Sequence, residues 1–87
     1  MTDARASVTV DATGLNCPLP LLKARKALAT AALGCVVTIL TTDPDSVPDL
    51  AALAREAGYG HRQSGPIAGT FIVEITKTAA PAGQREI

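Results

Sequence analysis

A run of β-branched and apolar residues at positions 35–41, Cys-Val-Val-Thr-Ile-Leu-Thr, constrains the fold more than any other feature of the chain. This composition is typical of a β-strand. Residues 7–11 alternate polar and apolar side chains, as a half-buried strand does. A helical pattern lies between the two segments, and strands separated by a helix pair in parallel through a right-handed crossover. The first half of the chain is therefore predicted to be a β-α-β unit.

The start of the first helix is set by two prolines. Proline is tolerated in the first turn of a helix, where backbone N–H groups have no intrahelical partner. The residue before a proline is pushed out of the helical region. The helix is therefore expected to begin either at Pro18, or at Pro20 with Leu19 as its cap. Its pattern runs to Leu33, and Gly34 is the predicted stop.

A second helix is predicted after the turn formed by residues 43–45, Asp-Pro-Asp. Ser46 and Asp49 resemble a capping box, and Gly58 predicts the end of the helix after about Ala57. One side of this helix is apolar. That side comprises Val47, Leu50, Leu53, Ala54 and Ala57.

The chain ends in a predicted antiparallel hairpin. Residues 60–63 read as a short, weak strand, and residues 71–77 read as a strong one. Gly65, Pro66 and Gly69 mark a turn or bulge between them. The element order is β-α-β-α-β-β, which predicts an α+β two-layer sandwich with a four-stranded mixed sheet and both helices on one face.

Composition limits the function classes. The chain has 87 residues, which is enough for one core, and we place the domain at residues 7–78 with flexible segments at 1–6 and 79–87. Eight basic and eight acidic residues cancel, and there are only two aromatic residues, one Phe and one Tyr. Direct nucleic-acid binding is therefore not expected. The N-terminal sequence lacks a signal-peptide pattern and no apolar run reaches membrane-spanning length, so we expect a cytoplasmic protein with reduced thiols.

Cys17 is the main candidate for chemistry. It stands just before the first helix in the segment Asn16-Cys17-Pro18-Leu19-Pro20. A helix N-terminus carries partial positive charge and free N–H donors, which favour a thiolate. Because the prolines have no N–H, the amides of Leu19 and Leu21 are the expected donors to an anion at Cys17. Gly14 ends the preceding strand, and Asn16 is expected to tighten the turn.

This segment, with residues 11–14 before it and Thr42-Asp43-Pro44 after the second strand, resembles the TusA/SirA family of small sulfur-carrier proteins. The resemblance covers roughly residues 7–77 in element order, and its Cys-Pro-x-Pro element is specific in so short a chain. Members of this family often have Asp-Ile-Pro in the second helix, where this chain has Asp49-Leu50-Ala51.

The resemblance implies both a fold and an activity. Family members adopt the two-layer β-α-β-α-β-β fold, and their motif cysteine carries sulfur as a persulfide. They receive it from a cysteine desulfurase or another donor and pass it to an acceptor cysteine. By resemblance, Cys17 is the carrier, and the acceptor pathways are tRNA thiolation, molybdenum-cofactor supply or sulfur oxidation. No cofactor is implied.

A second thiol close to the persulfide would release sulfide and form a disulfide. Cys35 lies beyond the far end of the predicted helix, about 20 Å from Cys17. Its alternation with Val37 and Ile39 favours a structural role in the strand. The absence of a C-x-x-C motif also argues against a thioredoxin-like exchanger.

The remaining polar candidates are weaker. His61 is the single histidine and is interpreted as a strand or loop residue, and no metal-ligand cluster is present in the sequence. Lys23 and Lys26 form a polar helix face, either simply solvated or a docking surface for acidic partners. Arg25 falls on the apolar side of the first helix, where it either extends to solvent or pairs with a carboxylate such as Asp11.

The competing hypothesis is a non-catalytic regulatory or protein-interaction module of the same fold. In that module Cys17 would be structural, and it would be buried and slow to alkylate.

Overall fold

Four strands and two helices follow one another in residues 7–78, the part of the chain that the computed structural model describes. In chain order they are β1 (Ser7–Ala12), α1 (Leu19–Thr30), β2 (Val36–Thr41), α2 (Ser46–Ala57), β3 (Gly60–Ile67) and β4 (Thr70–Thr76). The predicted order β-α-β-α-β-β is confirmed. The flexible segments predicted at residues 1–6 and 79–87 lie outside the described residues.

The four strands form one mixed sheet in the order β1-β2-β4-β3. β1 and β2 are parallel, whereas β4 is antiparallel to both of its neighbours. Ala12 pairs with Thr41, so β1 and β2 end at the same edge of the sheet. The loops that follow these two strands therefore lie side by side. The candidate functional site is formed by these two loops.

A single core lies between one face of the sheet and the two helices. Alternate residues of β2 point into it, and Val37, Ile39 and Thr41 are fully buried. The helices contribute five apolar side chains to the same core: Ala24, Leu28, Val47, Leu50 and Ala54. Both helices therefore cover one face, as predicted. Burying a side chain such as Leu50 contributes about 2 kcal/mol to folding.

The prediction that α1 reaches Leu33 and stops at Gly34 is wrong, because the helix ends at Thr30 and Ala31 is extended. The last carbonyl groups have a partner from a distant part of the chain. The Lys77 Nζ donates hydrogen bonds to the oxygen atoms of Leu28, at 2.7 Å, and Ala31, at 2.9 Å. A cation at a helix C-terminus is favourable because the carbonyl dipoles point toward it. Gly34, with φ of +91°, instead turns the chain into β2.

The last hairpin has the predicted antiparallel pairing, but β3 is twice as long as the four residues expected, at eight. All eight of its residues are exposed, because β3 is an edge strand. It therefore lacks the apolar alternation by which a strand is recognised. The predicted bulge is present as a shift in pairing between Ser64 and Ile67.

Both helices have 12 residues. None of the helices within residues 7–78 has the length and apolar character needed to cross a membrane.

Candidate active site

The loops after β1 and β2 are joined by hydrogen bonds. The Gly14 N–H donates to Oγ1 of Thr42 at 2.8 Å. Gly14 has a φ of +81°, a conformation that glycine adopts without the steric cost of a side chain. The Leu15 N–H closes the turn onto the oxygen of Ala12 at 3.2 Å. The segment that carries Cys17 is thereby fixed against the β2–α2 loop.

Cys17 lies at the entrance of α1 and is exposed. Its backbone N–H donates to Oδ2 of Asp43 at 2.7 Å, and its peptide bond to Pro18 is cis. Pro18 occupies the N-cap position and Leu19 is the first helical residue. Both predicted starts, at Pro18 and at Pro20, are therefore wrong by one residue. Pro20 is buried in the first turn, where it needs no N–H donor.

Asp43 organises the loop around Cys17. Besides the Cys17 amide, it accepts hydrogen bonds from the Asp45 N–H at 3.0 Å and the Ser46 hydroxyl at 3.1 Å. These donors hold the pKa of Asp43 below its ordinary value, with the Cys17 amide as the largest cause. Asp43 thus links the cysteine loop to the first residues of α2.

The thiol itself contacts a second carboxylate. The Cys17 Sγ–H donates to Oδ2 of Asp49 at 3.2 Å. This hydrogen bond raises the pKa of Cys17, and partial desolvation and the negative charges of Asp49, Asp43 and Asp45 act in the same direction. The expectation that the helix N-terminus favours a thiolate is therefore wrong for the thiol as it stands in this structure.

One of the two expected amide donors, that of Leu19, points elsewhere. The Leu19 N–H donates to the oxygen of Asn16 at 2.9 Å, so it closes the turn and does not face the sulfur. Asn16 tightens the turn, as predicted, but through its backbone carbonyl. Leu21 is half-buried and packs against the core. Within residues 7–78, no backbone N–H donates to the sulfur of Cys17.

The capping box predicted for α2 is wrong, and its two residues belong to the site. Asp45 is the N-cap and makes no side-chain capping hydrogen bond. The Ser46 hydroxyl turns back to Asp43, and Asp49 accepts from the thiol. The sequence did indicate that Asp43 and Asp45 lie near Cys17. Both residues follow β2, which is parallel to β1 and ends at the same edge of the sheet.

The other charged candidates are on α1. Lys23, Arg25 and Lys26 are all exposed. Asp11 does not pair with Arg25, since its carboxylate accepts two hydrogen bonds from Thr13, and these chiefly lower the pKa of Asp11.

Arg25 instead lines a groove of about 190 Å³ between α1 and α2. The other residues of this groove are Leu21, Asp49, Ala52, Leu53 and Glu56. Asp49 thus connects the groove to the thiol.

Cys35 is 2% exposed and belongs to the core, as predicted. His61 is exposed on the edge strand β3, in agreement with its interpretation as a strand residue. In the described part of the chain, no group of three or more His, Cys, Asp or Glu residues is arranged to hold a metal ion. A larger cavity of about 360 Å³, lined by β3 and β4, includes none of the predicted site residues.

Fold and site together define a small two-layer α+β protein with one exposed free thiol at the entrance of its first helix. Two proteins named as sulfur carriers are similar to it. The sulfur carrier protein TusA of Allochromatium vinosum is 42% identical over 69 residues, which cover 79% of this chain and 91% of the relative. The protein of the same name from Pseudomonas putida is 34% identical over 79 residues, covering 91% and 99%.

The family model described as sulfurtransferase TusA matches residues 8–77, and the chain belongs to this family of sulfur carriers. A solved structure agrees with the assignment. The SirA-like protein of Desulfitobacterium hafniense superposes with a TM-score of 0.75 at 34% identity, over 83% of this chain and 99% of that protein.

Proposed function

We propose that this protein receives sulfane sulfur as a persulfide on Cys17 and passes it to a cysteine of an acceptor protein. The observation that carries the proposal is the contrast between the two thiols. Cys17 is exposed on a loop that is fixed by hydrogen bonds, whereas Cys35 is buried in the core. Only Cys17 is accessible to the sulfur of another protein.

The loading step balances without an added oxidant or reductant. The Cys17 thiolate attacks the outer sulfur of a donor persulfide, R–S–SH, and a bond forms between Sγ and that sulfur. The sulfur–sulfur bond of the donor breaks and the donor leaves as R–S⁻. The proton given up by Cys17 returns to this leaving thiolate, so the products are Cys17–S–SH and R–SH. Discharge to an acceptor cysteine is the same exchange with Cys17 as the leaving thiolate.

The buried position of Cys35 supports a carrier rather than a disulfide exchanger. A neighbouring thiol would attack the persulfide, form an internal disulfide and release sulfide. Cys35 is enclosed by the core and has no access to the loop of Cys17 without unfolding. The loaded sulfur is therefore kept for a partner protein.

We propose a cysteine desulfurase or another persulfide-bearing protein as the donor, and a protein cysteine as the acceptor. Family membership supports tRNA thiolation, molybdenum-cofactor supply and sulfur oxidation as the acceptor pathways. We place the carrier in the cytoplasm, where thiols are kept reduced. The exposed lysines of α1, Lys23 and Lys26, remain candidates for docking an acidic partner.

The alternative, a non-catalytic interaction module, predicts a buried structural Cys17. The exposure of Cys17 contradicts that expectation.

The proposal is tested by intact mass spectrometry after incubation of the full chain with a cysteine desulfurase and cysteine. We expect a species heavier by one sulfur atom in the wild-type protein and in Cys35→Ala. Cys17→Ala should lack this species. The proposal fails if the wild-type protein gains no sulfur, or if Cys17→Ala gains as much as the wild type.

A further inference from the structure

The contact between the Cys17 thiol and Asp49 joins residues 32 positions apart in the chain. We propose that Asp49 is a positioning residue that holds the thiol of the unloaded carrier in a protonated, hydrogen-bonded state. The carrier is then a weak nucleophile until a partner protein separates the sulfur from the carboxylate. This inference rests on the proposed function, since it concerns the reactivity of the same sulfur.

The position of Asp49 is fixed by α2. The residue after it, Leu50, is fully buried and anchors this turn of the helix in the core. Asp49 also lies in the first turn of α2, where a negative side chain interacts favourably with the helix N-terminus. The carboxylate is therefore presented to the thiol from a rigid element and not from a mobile loop.

The two carboxylates nearest to Cys17 have different roles. Asp43 accepts three hydrogen bonds, from the amides of Cys17 and Asp45 and from the hydroxyl of Ser46, and its role is to hold the loop. Asp49 accepts its one side-chain hydrogen bond within residues 7–78 from the sulfur of Cys17. Only Asp49 acts directly on the reacting atom.

An ionised carboxylate accepts a hydrogen bond from a thiol but not from a thiolate, so the contact stabilises the protonated form of Cys17. The charged groups that act on this thiol are acidic: Asp43 and Asp45 from the loop, and Asp49 from α2. Arg25 of α1 lines the same groove as Asp49, but within residues 7–78 it forms no ion pair with that carboxylate. The raised pKa of Cys17 agrees with this arrangement. Because the thiolate is the nucleophile in sulfur exchange, the resting carrier reacts slowly with small electrophiles and disulfides.

The test is the pH dependence of the alkylation rate of Cys17 by iodoacetamide, in the full chain without any partner protein. Asp49→Ala and Asp49→Asn are expected to move the midpoint of the profile to lower pH. Alkylation at pH 7 should rise about threefold, since the gain in thiolate is partly offset by its lower intrinsic nucleophilicity. Cys17→Ala gives the background rate, and an unreactive Cys35 shows that each variant is folded.

Asp45→Asn is the matched control, because it removes a nearby negative charge that does not contact the thiol. Its shift should be smaller than that of either Asp49 variant. The inference is overturned if both Asp49 variants retain the wild-type profile, or if Asp45→Asn shifts it equally. Alkylation requires no sulfur transfer. A shifted profile in a protein that never loads sulfur would therefore contradict the proposed function and leave the role of Asp49 intact.

Discussion

Asp43 connects two loops whose residues are 26 positions apart in sequence, through its hydrogen bond from the Cys17 amide. Its carboxylate also receives the Asp45 N–H and the Ser46 hydroxyl. A protonated carboxyl would accept these bonds more weakly, so the ionised form is linked to the folded loop. The site and part of the stability of the fold therefore depend on the same side chain.

The linkage predicts a loss of stability in acid. The pKa of Asp43 is lowered in the folded protein from the ordinary value of 3.8, so its contribution is complete above that value. This contribution is lost as the pH falls through the lower, folded-state pKa. We expect the midpoint temperature of unfolding to begin to fall at about pH 4 and to continue falling at lower pH. In Asp43→Asn, the midpoint temperature should be lower than in the wild type at pH 6, and it should decrease less as the pH is lowered.

Calorimetry across this pH range measures the effect. Asp45→Asn is the control, because the Asp45 carboxylate makes no hydrogen bond within residues 7–78. Equal slopes for the wild type and Asp43→Asn would show that Asp43 does not contribute to the acid sensitivity.

At the scale of single residues, the sequence located the exposed thiol better than its surroundings. Cys17 is recognisable because a thiol, two prolines and a preceding strand are all local features. The partners Asp43 and Asp49 lie 26 and 32 residues away, and their contacts depend on how the loops meet after the sheet forms. Local capping rules assigned Asp49 to α2 alone, and so missed its contact with the sulfur.

At the scale of elements, the hairpin of β3 and β4 depends on two glycines with positive φ. Gly65 has a φ of +94° and lies at the bulge, where an added Cβ would come within 2.7 Å of the Thr70 carbonyl oxygen. Gly69 has a φ of +81° in the turn, and an added Cβ there would meet no atom within 4 Å. A substitution at Gly69 therefore introduces backbone strain alone, whereas a substitution at Gly65 introduces backbone strain and a steric clash.

We expect Gly69→Ala to cost about 1 kcal/mol in the free energy of unfolding, from the left-handed conformation alone. Gly65→Ala should cost about 3 kcal/mol, because the backbone must also move away from the Thr70 carbonyl. Urea denaturation of both variants measures the difference. Equal losses would indicate that the bulge relaxes without cost.

The ends of helices and strands were predictable where a residue at the end itself, such as a glycine, stops the element. Gly58, with φ of +79°, ends α2 as predicted. The end of α1 was missed because its last carbonyls are satisfied by Lys77, 46 residues beyond Ala31. The length of β3 was missed because an exposed edge strand has no buried face to give it an alternating pattern.

At the scale of the whole molecule, the topology was predictable because few arrangements satisfy the local pattern. A helix between two strands requires a parallel pair, and a short turn requires an antiparallel one. One apolar side on α2 and alternation in β2 then require a common core. Cys35 joins that core together with Val37 and Ile39.

This core makes Cys35 a reporter of global unfolding. Cys17 is exposed and Cys35 is 2% exposed, so a thiol reagent should modify Cys17 alone in the native protein and both cysteines in denaturant. When refolding is fast relative to modification, the slow rate of Cys35 follows the equilibrium population of the open form. Leu50 is fully buried in the same core.

Leu50→Ala should cost about 3 kcal/mol and accelerate the modification of Cys35 roughly 100-fold. The rate at Cys17 should change little, since this thiol is already accessible in the folded state. Leu33→Ala makes the same chemical change at a side chain that is 64% exposed, and it should alter the rate at Cys35 by less than about threefold. Stopped-flow and manual kinetics with a chromogenic disulfide measure both rates. If Cys35 reacts as fast as Cys17 in the wild type, the core opens locally, and Cys35 is not a reporter of global unfolding.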